Sequence, residues 1–415
     1  MSPRRLTMAL ALLLVAPLTG AAELLIRHAT VHTASAAGTL QDTDVLVRAG
    51  SIAAVGAALP DAAGATIIDA HGRPLTPGLF GGLTTIGIEE VSGEDTTVDS
   101  TYVGKTPDPQ WRPELDVSLA YNPRSVLVPV ARVEGVTFTL LTPGAGDSII
   151  AGEGAVASLD GRFDMLRASH ALFIQLGSEG AKRTGGTRAA EFMLLDQALR
   201  EARAQTPPGP GALLHAAGRE VLVRYMAGGR VVLQVDRAAD ILQAVAFAHR
   251  AGMKPIIAGG AEAVVVAREL AQADVPVVLN PLDDLPADFD RLGASLENAA
   301  RLQKAGVRIV FSSGDGRNAR LTRQLAGNAV AHGLPWEAAL AAITATPAQV
   351  FGVAASHGRI AVGQSADLVL WSADPLEVSS LADQVWIAGR PVEMHSRQTA
   401  LRDRYLERLK AHQAR

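Results

Sequence analysis

One rhythm constrains this chain more than any other feature. Over residues 238–313, helically spaced stretches alternate with short β-branched runs: AADILQAVAFAHRAG then KPIIAGG, AEAVVVARELAQAD then VPVVLNP, ENAARLQKAG then VRIVFSS. The first and third helical stretches end at glycine, Gly252 and Gly306, and each stretch is followed at once by a run too short and too apolar to be a surface strand. Parallel strands need a crossover of a dozen or more residues, and a helix is the usual one. The pattern therefore predicts a parallel β/α architecture. A closed β/α barrel places its site at the C-terminal ends of its strands.

The ends of the chain have a different texture. Residues 24–77 read as short strands broken by turns (LLIRHATVHT, DVLVRAGSIAAVG, ATIIDAHG), with in/out alternation through Val45, Leu46, Val47 and Arg48 and a break at Ala49-Gly50. ADLVLWSADP and QVWIAGRPVEM repeat that texture near the other end. The two terminal segments can complete one another's sheet. Between them, Pro74 to Val91 (PLTPGLFGGLTTIGIEEV) opens with turn residues and runs into a buried strand. The boundaries that follow are 1–22, 23–77, 78–355, 356–395 and 396–415, the last a charged terminal helix spaced at Leu401, Tyr405 and Leu409.

Met1 to Ala22 carries Arg4 and Arg5, an apolar run from Leu6 to Leu18, and the small residues Gly20, Ala21 and Ala22. That is the three-part pattern of a secretory signal, and the run is shorter than the roughly 20 residues that span a bilayer. Cleavage after Ala22 removes two arginines and no acid, taking the formal charge from −4 to −6. Such a balance argues against nucleic acid as a partner, and no membrane association is expected after cleavage. With no cysteine anywhere, disulfides and a thiol nucleophile are excluded, and a periplasmic or secreted protein is expected.

The stretch ATIIDAHGRPLTPG, the strand after it, and GRIAVGQSADLVLWSADP from Gly358 to Pro375 resemble the amidohydrolase superfamily, in its imidazolonepropionase-like branch. The resemblance extends over residues 24–395 and includes LAGNAVAHGLPWEAALAAITATPAQVFGV from Leu325 to Val353. It implies a (β/α)8 TIM barrel beside a small composite β-sandwich made from both terminal segments. It also implies hydrolysis of non-peptide carbon–nitrogen bonds by metal-activated water, which a bound zinc ion brings to a pKa of about 7.

The family's ligand positions are filled unusually here. Leu83 and Thr85 stand where a His-x-His pair is expected, and Gly259 replaces the histidine of the sixth strand. Gln234 and Asp236 fall near the fifth strand's ligand position, while Glu179 and Lys182 are the candidates on the fourth. Asp315 stands near the family's catalytic aspartate; as a turn residue in Ser-Gly-Asp-Gly it can equally cap the helix that follows. Arg188, opening the next helix, also resembles a family position. Of the ten histidines none forms a His-x-His or His-Glu-x-x-His motif, and His215 alone is placed near a strand end.

The expectation is an exported amidohydrolase-like protein without the dinuclear centre and without a cofactor. It would bind a small-molecule ligand through Gln234, Asp236, Glu179, Lys182 and Arg188. A homodimer, or pairing with a metal-bearing relative, stays open. The alternative is an active hydrolase with Asp315 as general base and at most one divalent metal, zinc or similar. An all-oxygen site that draws on Glu89, Glu90, Glu94 and Asp95 stands against a solvated acidic loop. Export predicts that N-terminal analysis of the mature protein begins at Glu23; a chain still beginning at Met1 would contradict it.

Overall fold

The computed structural model describes residues 23–103, 110–163, 169–314 and 316–413. The expected signal segment 1–22 and Asp315 lie outside the described residues, as does part of the long polar stretch after Gly93.

Two eight-stranded sheets organise the described chain. The first contains β1 (Leu24–His32), β2 (Thr39–Arg48), β3 (Ser51–Gly56), β4 (Thr66–Asp69) and β5 (Pro74–Pro77) from the N-terminal segment. The second contains β6 (Leu79–Thr84), β7 (Val136–Leu141), β8 (Ile150–Ser158), β9 (His170–Gln175), β10 (Arg230–Val235), β11 (Lys254–Gly259), β12 (Val277–Leu279) and β13 (Ile309–Phe311). β14 (Leu368–Trp371), β15 (Ala382–Ile387) and β16 (Arg390–Pro391) then return to the first sheet. The terminal segments meet where β14 pairs antiparallel with β5, Leu368 opposite Pro77. Their pairing runs through one continuous sheet in the order β16-β15-β14-β5-β1-β2-β3, with β4 also on β1.

The second sheet curls into a nearly closed barrel in sequence order from β6 to β13. Its strands read as apolar runs because both faces are covered. Leu172, Ile174, Val231, Leu233 and Ile257 pack outward against Leu195, Leu222, Phe247 and Leu270 of the surrounding helices. Phe80, Phe138, Phe173, Val232 and Ile256 point inward with Phe351. Phe80 lies 5.2 Å from Phe138 and 5.5 Å from Phe351, ring centre to ring centre. Arg230, at the start of β10, donates to the Val350 carbonyl at 3.0 Å. The segment around Phe351 thus closes the end where the strands begin, and the opposite end stays open.

One strand departs from the expected eight parallel units. β8 pairs antiparallel with both β7 and β9. The connection from Leu141 to Ile150 carries no helix, and a link that short can return the chain only as a hairpin. Hydrophobic periodicity is blind to strand direction, so the sequence pattern did not carry this reversal.

The ring meets itself between β6 and β13 without a backbone ladder. Instead the buried Leu83 N–H donates to Ser312 Oγ at 2.9 Å. Gly82, at φ +90°, leaves room for that hydroxyl: a Cβ there would stand 2.7 Å from Ser312 Oγ. On the other side, Thr322 donates to the Phe80 carbonyl at 2.9 Å and Phe80 N–H to Ile343 O at 2.8 Å. Arg323, on the same helix as Thr322, sits over the Trp371 ring at 5.4 Å and donates to Glu377 and Ser380 carbonyls, tying barrel to terminal sheet. None of the described helices is long and apolar enough to cross a membrane. The terminal helix Arg397–Gln413 buries no side chain.

Ser312→Ala would leave the Leu83 N–H buried without its acceptor and should cost about 1–3 kcal/mol. Urea unfolding of the variant and wild type, compared at equal m-value, measures this; an unchanged midpoint would show that the seam is held by other contacts.

Candidate functional site

The open end of the barrel holds a cavity of about 660 Å³ lined from the C-terminal ends of the strands. β6 contributes Leu83, β9 leads to Gln175, β10 contributes Gln234 and leads to Asp236, β11 contributes Ala258 and Gly259, and β13 leads to Ser312. The positions flagged in the sequence therefore converge: Leu83, Thr85, Gln234, Asp236, Gly259 and Glu179 all line one mouth. Leu83 forms part of its floor and does not fill it. Neutral polar side chains, Ser178, Asn280, Ser312 and Ser313 among them, share the rest of the lining with apolar ones.

Asp236 and Gly259 occupy one volume between them. The Asp236 carboxylate accepts from the Ala261 N–H at 3.1 Å and from Arg291 Nε at 3.1 Å. A Cβ built on Gly259 would stand 2.6 Å from Asp236 Oδ1, and the residue has φ +94°. The space a histidine at position 259 would need is taken by Asp236. Burial raises the Asp236 carboxyl pKa, and Arg291 with the Ala261 N–H pulls the other way.

Arg291 escaped the sequence reading, together with Asp283, Asp288 and Asp290. All four line the mouth from the segment 280–297, which has no regular structure. Long loops of this kind are commonly functional, but they carry no periodicity by which a sequence can place them. Asp283 accepts from Asn280 Nδ2 at 2.8 Å and lies 3.7 Å from Arg291 Nη1. Burial raises its carboxyl pKa as well, against Arg291 and Asn280.

Two expected ligand-binding residues stand outside the cavity. Lys182 is on the exposed face of the helix Gly177–Arg183, paired to Glu179, and that pairing holds the Glu179 carboxyl below the usual range. Arg188 donates from Nε to Asp240 at 2.9 Å and from Nη2 to Asp290. Its guanidinium is a clamp between the helix Ala238–Arg250 and the rim segment, so it is spent on structure. Asp290 in turn accepts from the Ser178 N–H at 2.7 Å. Burial works to raise Asp290, but Ser178 and Arg188 outweigh it and hold the carboxyl low.

The other candidates resolve as structural. Glu90 accepts from Ser125 Oγ at 2.9 Å and the Val126 N–H at 3.3 Å, at the start of the helix Leu127–Arg132. Neither it nor Glu89, Glu94 and Asp95 lines the cavity. His215 precedes the helix Ala216–Met226 and also lies off the mouth, and His170 sits at the start of β9 facing Asp116 at 3.3 Å. Among the described residues no group of three or more His, Asp or Glu side chains is arranged to hold a metal ion. Imidazole is missing from the lining, Asp236 is engaged by Arg291, and Asp290 by Arg188. This donor set does not fit a histidine-based dinuclear centre.

Behind the mouth, Glu191 is buried beneath the helix that carries Ser178. Gly180 makes room for it, since a Cβ there would lie 2.7 Å from Glu191 Oε1. Burial pushes its carboxyl up to about 7, reinforced by Asp240 and Asp290 and opposed by the Gly177 N–H and Arg188.

Residues 212–392 match the Amidohydrolase family model. The fold is shared with an amidohydrolase from Thermotoga maritima MSB8, at TM-score 0.78 and 24% identity over 89% of this chain and 99% of that one. It is also shared with an adenosine deaminase from Xanthomonas campestris with bound zinc, at TM-score 0.53 and 17% identity over 94% and 98% of the two chains. A 58-residue stretch is 47% identical to Amidohydrolase tasK of Hapsidospora irregularis; it spans 14% of this chain and 6% of that protein.

Glu191 gives the site a pH signature. Its folded value lies above the ordinary 4.5, so the folded protein keeps a proton that the unfolded chain releases. The corresponding stability is fully present below about pH 4.5, declines as pH rises, and is lost above about pH 7, up to about 3 kcal/mol in all. Glu191→Gln should match wild type at low pH and become progressively more stable than it toward pH 8, as read by thermal unfolding. Parallel curves at every pH would refute the assignment.

Proposed function

We propose that this protein is an exported member of the amidohydrolase superfamily, of the imidazolonepropionase-like branch, that binds a small molecule in the barrel mouth without the dinuclear metal centre. The observation that carries the reading is the occupied ligand geometry. Leu83 stands on the first barrel strand with Thr85 just past its end, Gln234 on the fifth, and the Asp236 carboxylate fills the space beside Gly259 on the sixth. A leucine cannot ligate a metal. An amide oxygen and a lone hydroxyl are weak donors for zinc; of the carboxylates, Asp236 and Asp290 are charge-paired to arginine and Glu179 to Lys182.

What those residues supply instead is a binding cleft. Side-chain amides of Gln175, Gln234 and Asn280 with the hydroxyls of Ser178 and Ser313 converge on one cavity, and such convergence of polar groups on a concave surface is the mark of small-molecule recognition. Only the periplasm or the outside of the cell is consistent with the leader expected at residues 1–22, and the partner in this reading is the small molecule itself, with self-association or pairing with a metal-bearing relative as further options for assembly.

Elemental analysis of the purified mature protein tests the reading. Zinc, manganese, iron and nickel should be well below one mole per chain before and after mild chelation, and chelation should leave thermal stability unchanged. One or two tightly held metals per chain would overturn it in favour of a rebuilt hydrolytic centre in which Asp315 serves as general base.

A further inference from the structure

The charge of the mouth says which class of ligand it takes, an inference that rests on the reading of this cavity as a binding site. Its lining carries the carboxylates of Glu179, Asp236, Asp283, Asp288 and Asp290 against the single guanidinium of Arg291 among the described residues. Two of those acids are committed elsewhere: Glu179 pairs with Lys182, and Asp290 with Arg188 and the Ser178 N–H. That leaves Asp236, Asp283 and the exposed Asp288, whose Oδ1 accepts the Asp290 N–H at 2.8 Å, near Arg291: three carboxylates and one cation, a formal charge of −2.

Arg291 is itself unevenly shared. Its Nε donates to Asp236 at 3.1 Å, whereas its Nη1 is 3.7 Å from Asp283 Oδ2, beyond hydrogen-bonding range. Asp283 Oδ1 accepts from Asn280 Nδ2, and its Oδ2 has the longer ion-pair contact to Arg291 Nη1. Burial raises both the Asp236 and Asp283 carboxyls in spite of Arg291. A cavity with low-dielectric walls focuses that imbalance on its contents. An anion entering it would meet a net excess of carboxylate; an ammonium or guanidinium group would find acceptors in Asp283 and Asp288, while the amides of Gln234 and Asn280 hold its neutral part.

We propose that the barrel mouth selects an organic cation, a primary amine or guanidine, through Asp283 and Asp288, with Arg291 fixing Asp236 as the back wall.

Three probes of matched length, 1,5-diaminopentane, 1,5-pentanediol and glutarate, separate the possibilities by calorimetry on the full mature protein. The diamine should bind about tenfold or more tighter than the diol, weaken with added salt, and outcompete glutarate. Asp283→Asn and Asp288→Asn should each lower diamine affinity by about tenfold and leave the diol unchanged. The exposed Glu94→Gln, away from the mouth, should change neither and so excludes diffuse attraction to an acidic surface. Glutarate binding as tightly as the diamine, diamine binding that is indifferent to both aspartate variants, or no binding of the diamine at all would each overturn the proposal. Tightly bound metal would instead sink the binding-protein reading and leave the charge preference to be judged by the same probes.

Discussion

Everything at the mouth depends on how the barrel closes. The β6/β13 contact is the one place in the ring where strands meet without a ladder, and it is held by a serine hydroxyl standing in for a backbone carbonyl. This works because Gly82 has no side chain: any Cβ would lie inside hydrogen-bond distance of Ser312 Oγ and 3.1 Å from its Cα. A sheet this curved cannot keep ideal registration at its last junction, and β6 already slips register against β7 between Phe80 and Leu83. The slip delivers Leu83 and Ser312 side by side to the cavity floor. Moving either would shift the two strand ends that bound the site.

The fold was legible to the extent that it is written in period. Buried strands such as Val231–Val235 and Ile256–Ala258 announce themselves as apolar runs between helical stretches, and the terminal segments announce themselves by alternation. The strand numbering came from the family resemblance, and Gln234, Asp236 and Gly259 lie at the ends of β10 and β11, where they line the cavity. Direction and distance are not written in period. β8 runs backward because its hairpin is short, and Arg188 was assigned to the ligand although Asp240 and Asp290, far along the chain, claim it. Arg291 and its three acidic neighbours lie on irregular backbone, where a charged residue in sequence looks the same whether it faces solvent or a cleft.

The two arginine clamps explain why that irregular segment can form one wall of a site. Arg188 fixes Asp290 to the helix after β10, and Asp290 fixes itself to the start of the helix after β9 through Ser178. Arg291, the very next residue, reaches the end of β10 through Asp236. Partly buried ion pairs such as these add little net stability, since desolvation consumes most of their attraction, but each has few alternative geometries. Their contribution is to specify where the segment lies.

That division of labour bears on how a site of this kind changes chemistry while keeping its scaffold. Gly259 and Asp236 cannot both be bulky, because they compete for the same volume. Once a carboxylate on β10 takes the space beside β11, it needs a counter-charge, and Arg291 from the rim provides it at 3.1 Å. The rim then brings its own acids close to the mouth, which tips the local charge negative. Substitution at one strand end thus carries the loop and the local charge with it, while the apolar faces beneath continue to hold the barrel.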